Sequence, residues 1–259
     1  MPEAGEQRRA GTGWRADARE LYRRIQRLVT GLVWWERTYH EDGLATEHTC
    51  AFLQEERFRR AYELGRATGS FRGREIRWRV HVACWAAAHA ARLEGDFVEC
   101  GVYRGGLARA IVDYVGLCDL NKSFYLFDTF EGIPEASISR DERELGRRPG
   151  EYEECYAAVC ETFRSFANVR VVRGVVPEVL SQVEIERVAY LSLDMNVYQP
   201  EIAAAEYFWP RMTSGGIILL DDYGFRPHGL QKTAMDAFAR QRDTEILSMP
   251  TGQGLLVKP

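Results

Sequence analysis

Beyond Gly95 the chain alternates short apolar runs with longer stretches in which apolar positions recur at helical spacing. That texture predicts repeated β–α units. Strands are expected at Phe97–Cys100, Phe124–Asp128, Val169–Val172, Val188–Asp194 and Ile217–Asp221, with helices near Leu107–Val115, Tyr152–Phe166, Pro177–Val183, Glu201–Trp209 and Leu230–Arg240. Glu245–Ser248 and Gly254–Val257, separated by the turn-forming Pro250-Thr251-Gly252, predict an antiparallel hairpin at a sheet edge. The fold class expected is α/β, a doubly wound Rossmann-like sheet closed by this C-terminal hairpin.

Ahead of Gly95 the pattern is helical. Leu21, Ile25, Leu28 and Leu32 predict a helix over Asp17–Val33, a second is expected at Phe52–Leu64, and a third at Glu75–Leu93. On the third, Val80, Val82, Ala83, Trp85 and Ala86 are expected on or near the buried side. Residues 1–16 are polar and expected to be loose. The organisation predicted is a helical N-terminal extension or lid over residues 1–94 and an α/β domain over 95–259.

Composition narrows the partners. The 259 residues are 46% hydrophobic and 28% charged, enough for one sizeable core. A net charge of -4 provides no field for drawing in nucleic acid or an anionic membrane. Trp34-Trp35, Trp78 and Trp85 are therefore read as helix core rather than as a base-stacking surface. No apolar run reaches the roughly 20 residues of a membrane span, and the opening residues hold no apolar signal core, so a cytoplasmic location is expected. Six scattered cysteines without a CxxC pair predict reduced thiols and no zinc site.

Three segments carry candidate chemistry. In Asp96-Phe97-Val98-Glu99-Cys100-Gly101-Val102-Tyr103-Arg104-Gly105-Gly106 a strand runs into a glycine turn and then a helix. Glycine there lets a ligand approach the backbone, and helix N-terminal amides hold anions. Its spacing, G-x-x-x-G-G, differs from the G-x-G-x-x-G of dinucleotide binders. Gly101 and Gly105 shape the turn, and Glu99 can receive an ammonium group. In Phe127-Asp128-Thr129-Phe130-Glu131-Gly132 an acidic strand tip can accept ribose hydroxyls; the alternative is that Asp128 caps the following turn. Third come Leu193-Asp194 and Leu220-Asp221-Asp222-Tyr223. If these strands are neighbours their tips lie about 5 Å apart, so that Asp194, Asp221 and Asp222 can converge on one hard cation such as Mg²⁺. The alternative is that one of them caps the next segment.

The order DFVECGVYRGG, YLFDTFEGIP, LSLDMNVY, SGGIILLDDYG, followed by a helix with Gln231-Lys232 and Ala237-Phe238, resembles the TylF-type O-methyltransferases, the macrocin and novobiocin-pathway sugar methyltransferases. The resemblance runs from about Gly95 to the C-terminus. It implies S-adenosylmethionine as cofactor, Mg²⁺ or a similar divalent cation, and methyl transfer to a hydroxyl of a small-molecule sugar or glycoside acceptor. Methyltransferase domains also end in a reversed strand, where dinucleotide-binding domains continue in parallel, so a nicotinamide dehydrogenase is disfavoured. In the resemblance Asp194, Asp221 and Asp222 match the metal carboxylates, while Glu99, Gly101 and Asp128 fall in cofactor-binding segments, where Gly105 and Thr129 also lie. The loop Glu131–Gly150 lies where family members cover substrate. A homo-oligomer is compatible with it.

One position departs from the family. Many members have an aspartate general base two residues after the metal-binding Asp194; here the residue is Asn196, and an amide cannot take a proton at neutral pH. Either His228 replaces it, with an ordinary pKa of about 6.5, or the divalent ion acidifies the hydroxyl, or the protein is a non-catalytic S-adenosylmethionine-binding scaffold or regulatory partner. His228 reads equally as a loop histidine beside Pro227, and Tyr198 either orients substrate or packs at the start of a helix.

Overall fold

The computed structural model describes residues 37–259 together with Leu21, Arg24 and Ile25. The helix expected over Asp17–Val33 therefore lies, but for those three residues, outside the described residues, as do residues 1–16 and Trp34-Trp35. The chain forms two compact units, one of residues 1–40 and 45–50, the other of 41–44 and 51–259. In the first unit's described part, Thr38 Oγ1 donates to the backbone oxygens of Thr46 (3.2 Å) and His48. Two short strands, β1 (Tyr39–Glu41) and β2 (Leu44–Thr46), make a small separate sheet.

In the second unit, helices α1 (Glu56–Ala67) and α2 (Arg77–Ala90) precede the large sheet. Then follow β3 (Asp96–Cys100), α3 (Gly106–Val115), β4 (Phe124–Asp128), the short α4 (Arg140–Glu144), α5 (Tyr156–Phe163) and β5 (Val169–Arg173). The chain closes with β6 (Val188–Leu193), α6 (Tyr198–Phe208), β7 (Met212–Leu220), α7 (Gly229–Arg240), β8 (Leu247–Ser248) and β9 (Gly254–Val257). Pro177–Val183, expected as a helix, makes a 3₁₀ segment over Glu178–Gln182.

The seven strands run in the order β5-β4-β3-β6-β7-β9-β8. β5 through β7 pair in parallel, and β9 is antiparallel to both β7 and β8. The expected hairpin thus stands at the sheet edge, with β9 paired to β7 and β8 outermost. β6, Val-Ala-Tyr-Leu-Ser-Leu, is buried at every position, as a central strand covered on both faces must be.

Because α1 and α2 belong to the compact unit that holds the sheet, the expected boundary at residues 94/95 falls inside that unit. α1 crosses α3 at Gly65, where a Cβ would meet the Gly106 carbonyl oxygen at 2.5 Å, so only glycine permits the approach. On α2, Val80, Val82, Ala83 and Ala86 are buried as expected, but Trp85 is 53% exposed, and its indole stacks on His89 one turn on. The other tryptophan expected in the core, Trp78, meets Phe52 edge to face. Buried among the apolar positions of α2 is one charged residue, Arg79.

The order along the sheet reverses between β3 and β6. In such sheets the crevice at the carboxyl ends of the strands, beside the reversal, is where ligands bind. Cys100, Asp128, Leu193 and Leu220 end β3, β4, β6 and β7, and all four strands run the same way, so the acidic segments named above gather at one rim.

Candidate functional site

A cavity of about 350 Å³ opens at that rim. Glu99, Gly101, Asp128 and Thr129 line it together with Asp194, Asn196, Asp221, Asp222 and His228. Gly105 and Tyr198 are not on its wall. Gly105 is the left-handed N-cap of α3 (φ 77°), packed against the ring of Phe163, and Tyr198 is the first residue of α6.

Gly101 (φ 89°) lies against β6 so closely that a Cβ would stand 2.0 Å from the Asp194 carbonyl oxygen. Glycine is required here to keep two acidic segments adjacent, as well as to admit a ligand. Asp128 holds the same turn in place. Its Oδ2 accepts from the backbone nitrogens of Val102 (2.6 Å) and Tyr103 (2.8 Å), and its Oδ1 from that of Phe130 (2.7 Å). The capping alternative is thus realised in full, and Oδ1 keeps a lone pair for a ligand hydroxyl. Thr129 Oγ1, 3.3 Å from that oxygen, has its shorter contact (2.7 Å) with the Gly132 carbonyl. Glu99 is 2% exposed, and its Oε2 is buried with no hydrogen-bond partner among the described residues. Burial first, then the nearby Asp221 and Asp128, push its pKa well above the usual carboxylate range. An orphaned acid in a cavity wall fits a cationic ligand group, since an ammonium would supply both the missing donor and the countercharge.

Ligand oxygens of Asp194, Asp221 and Asp222 lie within 4.8 Å of one another. Burial raises the pKa of Asp194 and pushes that of Asp222 up to about 7, and repulsion among the three carboxylates adds to both. Oxygen donors that repel each other in this way suit a hard divalent cation, which would remove the repulsion. Asp222 Oδ2 is buried without an aligned donor; His228 Nδ1 is 3.2 Å away but is engaged by Gln231 Oε1. The residues present therefore fit the metal that the sequence suggested.

Several members of the site carry no motif. Arg79 Nη1 donates to Asp221 Oδ2 at 2.7 Å, and its Nε and Nη2 reach Asp42 Oδ2 at 3.0 and 2.6 Å. Burial opposes the Arg79 charge, but Asp221 and Asp42 outweigh it, and its pKa is raised. Gln253, from the hairpin, donates to Asp221 Oδ1 at 3.0 Å. Glu201 Oε1 accepts from Met195 N (3.0 Å) and Gln231 Nε2 (2.9 Å), and burial together with Asp222 pushes its pKa to about 8. The one sequence signal for any of these was a basic residue at a buried position of α2.

Asn196 stands in the left-handed region (φ 61°) and its Nδ2 donates to Asp194 Oδ1 at 3.3 Å. His228 is buried with both ring nitrogens occupied: Nδ1 faces Gln231 Oε1, and Nε2 meets Arg147 Nη2. Burial and the Arg147 charge push its pKa down to about 4. Arg147 belongs to the strap Glu131–Gly150. That strap is anchored by Glu142, whose Oε2 forms a capping box with Ser139 and whose Oε1 accepts from Tyr198 N at 2.8 Å.

A doubly wound sheet with one reversed strand, and a rim that pairs a glycine turn with acidic strand tips, define a methyltransferase-type α/β protein. The comparisons make this specific. The chain belongs to the macrocin O-methyltransferase (TylF) family, whose profile matches residues 35–249. It is 29% identical over 151 residues to a tetracenomycin 4'-O-methyltransferase of Streptomyces olivaceus that acts on a 2,3-dimethoxy-rhamnosyl precursor; the match covers 54% of this chain and 57% of that protein. It is 26% identical to the mycinamicin III 3''-O-methyltransferase of Micromonospora griseorubida, covering 77% of this chain and 81% of that protein. It is 29% identical to the demethyldecarbamoylnovobiocin O-methyltransferase of Streptomyces niveus, covering 58% and 60%. The chain thus spans somewhat under two thirds of the first and third of these relatives. Among solved structures, the O-methyltransferase NovP superposes with a TM-score of 0.56 at 21% identity (92% of this chain, 98% of that one). The calicheamicin methyltransferase CalS11 superposes with a TM-score of 0.57 at 17% identity (78% and 91%). These two likenesses bear on the fold. The family it belongs to is one of O-methyltransferases, and none of these relatives supports the non-catalytic reading. Among the described residues no helix is long and apolar enough to cross a membrane, and the six cysteines are free.

Proposed function

We propose that the protein moves methyl from S-adenosylmethionine to a hydroxyl of a sugar or glycosylated natural product, with Mg²⁺ or a similar divalent cation held by Asp194, Asp221 and Asp222. The observation that carries this reading is the joining, in one cavity, of an orphaned buried Glu99 and three converging carboxylates. The curated relatives, named for a rhamnosyl-tetracenomycin, mycinamicin III and demethyldecarbamoylnovobiocin, support the acceptor class.

Glu99 would take the ammonium group of the cofactor, Asp128 Oδ1 a ribose hydroxyl, and the amides at the start of α3 its carboxylate. In the transfer, the acceptor oxygen forms its bond to methyl as the sulfur–methyl bond breaks, and the hydroxyl proton must leave. A divalent cation at the three carboxylates would lower the pKa of that hydroxyl. Asn196 spends an amide hydrogen on Asp194, which leaves its carbonyl oxygen to accept from the acceptor hydroxyl and orient it. His228 Nε2 can take the proton once Arg147 withdraws from it. The α1–α2 linker lines the cavity with Ser70, Phe71, Arg72 and Arg74 and serves as a cover in this reading.

A screen of glycosides and nucleotide sugars with labelled S-adenosylmethionine, with Mg²⁺ or with chelator, tests the proposal. Chelation should abolish turnover and added Mg²⁺ should restore it, with S-adenosylhomocysteine affinity little changed. Full turnover in excess chelator would remove the metal from the mechanism.

A further inference from the structure

Behind His228 lies a chain of buried polar contacts. Glu201 stands on α6, Gln231 on α7, and His228 immediately before α7, and all three side chains are buried. Glu201 Oε1 accepts from the backbone nitrogen of Met195 at 3.0 Å and from Gln231 Nε2 at 2.9 Å. Gln231 Oε1 in turn lies 2.5 Å from His228 Nδ1.

This chain can be satisfied in one direction only. A carboxyl oxygen that already takes a backbone N–H can only accept, so the NH₂ end of the Gln231 amide must face Glu201. Were Glu201 protonated, the hydrogen would sit on Oε2 and the same end of the amide would be chosen. The carbonyl end then faces the imidazole, and a carbonyl oxygen needs a donor, so Nδ1 carries a hydrogen. Asp222 Oδ2, 3.2 Å from Nδ1, is a second acceptor at that nitrogen and makes the same demand. The far side of the ring agrees. Arg147 Nη2 is nearer to Nε2 than to Nδ1 (3.1 Å), and a guanidinium has only donors to offer. A ring protonated on both nitrogens would set N–H against N–H there. Both sides therefore assign a neutral ring with its hydrogen on Nδ1 and its lone pair on Nε2. Free histidine in water favours the opposite form, which has no lone pair at Nε2.

We infer that Gln231, aligned by Glu201, is a positioning residue for methyl transfer: it locks His228 in the Nδ1–H tautomer and keeps the Nε2 lone pair for the acceptor hydroxyl. This rests on His228 as the proton acceptor, proposed above. As the oxygen–methyl bond forms and the sulfur–methyl bond breaks, the hydroxyl proton passes to Nε2. The ring becomes imidazolium, its Nδ1–H still bonded to Gln231 Oε1, and later releases the proton from Nε2 to solvent. The same Glu201 oxygen holds Met195, between Asp194 and Asn196, so one carboxylate aligns both the histidine and the turn that carries the amide.

The experiment is nitrogen-15 NMR at pH 7 on the full chain with labelled histidine, loaded with S-adenosylhomocysteine and Mg²⁺. The chain has five histidines, and the signals lost in His228→Ala identify the ring in question. Long-range proton–nitrogen correlations separate a ring nitrogen that bears hydrogen from one that bears a lone pair. In the wild-type protein Nδ1 should bear the hydrogen and Nε2 the lone pair. Gln231→Met, which removes the amide with little change in volume, should shift the ring mostly to the Nε2–H form. Glu201→Gln keeps an acceptor oxygen for Met195 N and Gln231 Nε2 and should retain the Nδ1–H form, whereas Glu201→Met should lose it. Unchanged S-adenosylhomocysteine affinity in these variants shows that the fold is intact. An Nε2–H or doubly protonated ring in the wild-type protein, which needs no variant to observe, overturns the inference, as does an Nδ1–H ring that survives Gln231→Met. Undiminished turnover in His228→Ala would instead overturn the reading of His228 as proton acceptor. The tautomer is read without turnover, so the two failures are distinguishable.

Discussion

Replacing Arg79 tests whether the carboxylate cluster depends on a buried countercharge. The side chain is 10% exposed and satisfies Asp221 and Asp42, themselves 6% and 12% exposed. Arg79→Met keeps much of the stem's apolar volume and removes only the charge and its donors. Breaking a buried pair by deleting one partner costs about 3–5 kcal/mol, because the other charge stays buried and unpaired. Gln253 still donates to Asp221 Oδ1, so the lower end, about 3 kcal/mol, is expected. Against a typical total of about 5–15 kcal/mol this is a large fraction of the stability. Denaturant unfolding in chelator should show it as a lower midpoint with an unchanged slope. Mg²⁺ at about 100 times its dissociation constant should then return about 2.7 kcal/mol, by mass action on the folded state. A loss under about 1 kcal/mol, or no stabilisation by Mg²⁺, would refute the reasoning, the first by showing that Arg79 does not neutralise the cluster and the second by showing that the cluster binds no metal.

Asp128→Ala should weaken S-adenosylhomocysteine binding by about 1–3 kcal/mol and also lower stability, since the backbone nitrogens of Val102, Tyr103 and Phe130 lose their acceptor; unchanged affinity in calorimetry would take Asp128 out of the site. If His228 takes the proton, His228→Ala should lower turnover by about 10²–10⁴-fold. The pH profile carries a signed corollary. His228 is held down to about 4, so its lone pair is present above that value, and the acidic limb belongs near pH 4 rather than at histidine's ordinary 6.5. Arg147→Ala should move the limb upward, and a wild-type profile with a limb at 6.5 would contradict the burial argument. Asn196→Asp should raise turnover if the protein lacks an adequate base; a fall in rate, measured under saturating donor, would show that the amide positions the acceptor.

Much of the fold was legible because its signals are local. Strand ends at Cys100 and Asp128, the glycine turn, and the acidic tips at Asp194 and Asp221-Asp222 could be read off, since periodicity and turn chemistry act between residues near in sequence. Motif order gave the family, and the family match bears it out. Misreadings arose where packing overrides the local pattern. Trp85 lies on a helix that is apolar nearly all round, so periodicity could not say which face is covered. Glu245–Ser248 and Gly254–Val257 read correctly as an edge hairpin, and only the pairing with β7 decides which of its strands is outermost.

The chain's sequence by itself determined which residue types stand at each strand tip, and therefore that the rim is acidic and glycine-bearing. Only the tertiary structure decided how those charges are tolerated. Arg79 and Asp221 are 142 residues apart in the chain, and Gln253 reaches Asp221 across another 32. No local rule links them; they are brought together because the start of helix α2 and the turn of the C-terminal hairpin both lie beside the tip of β7. Once they are buried side by side, desolvation makes an unpaired charge too costly to keep. The countercharge for the cluster thus comes from elements that carry no motif at all.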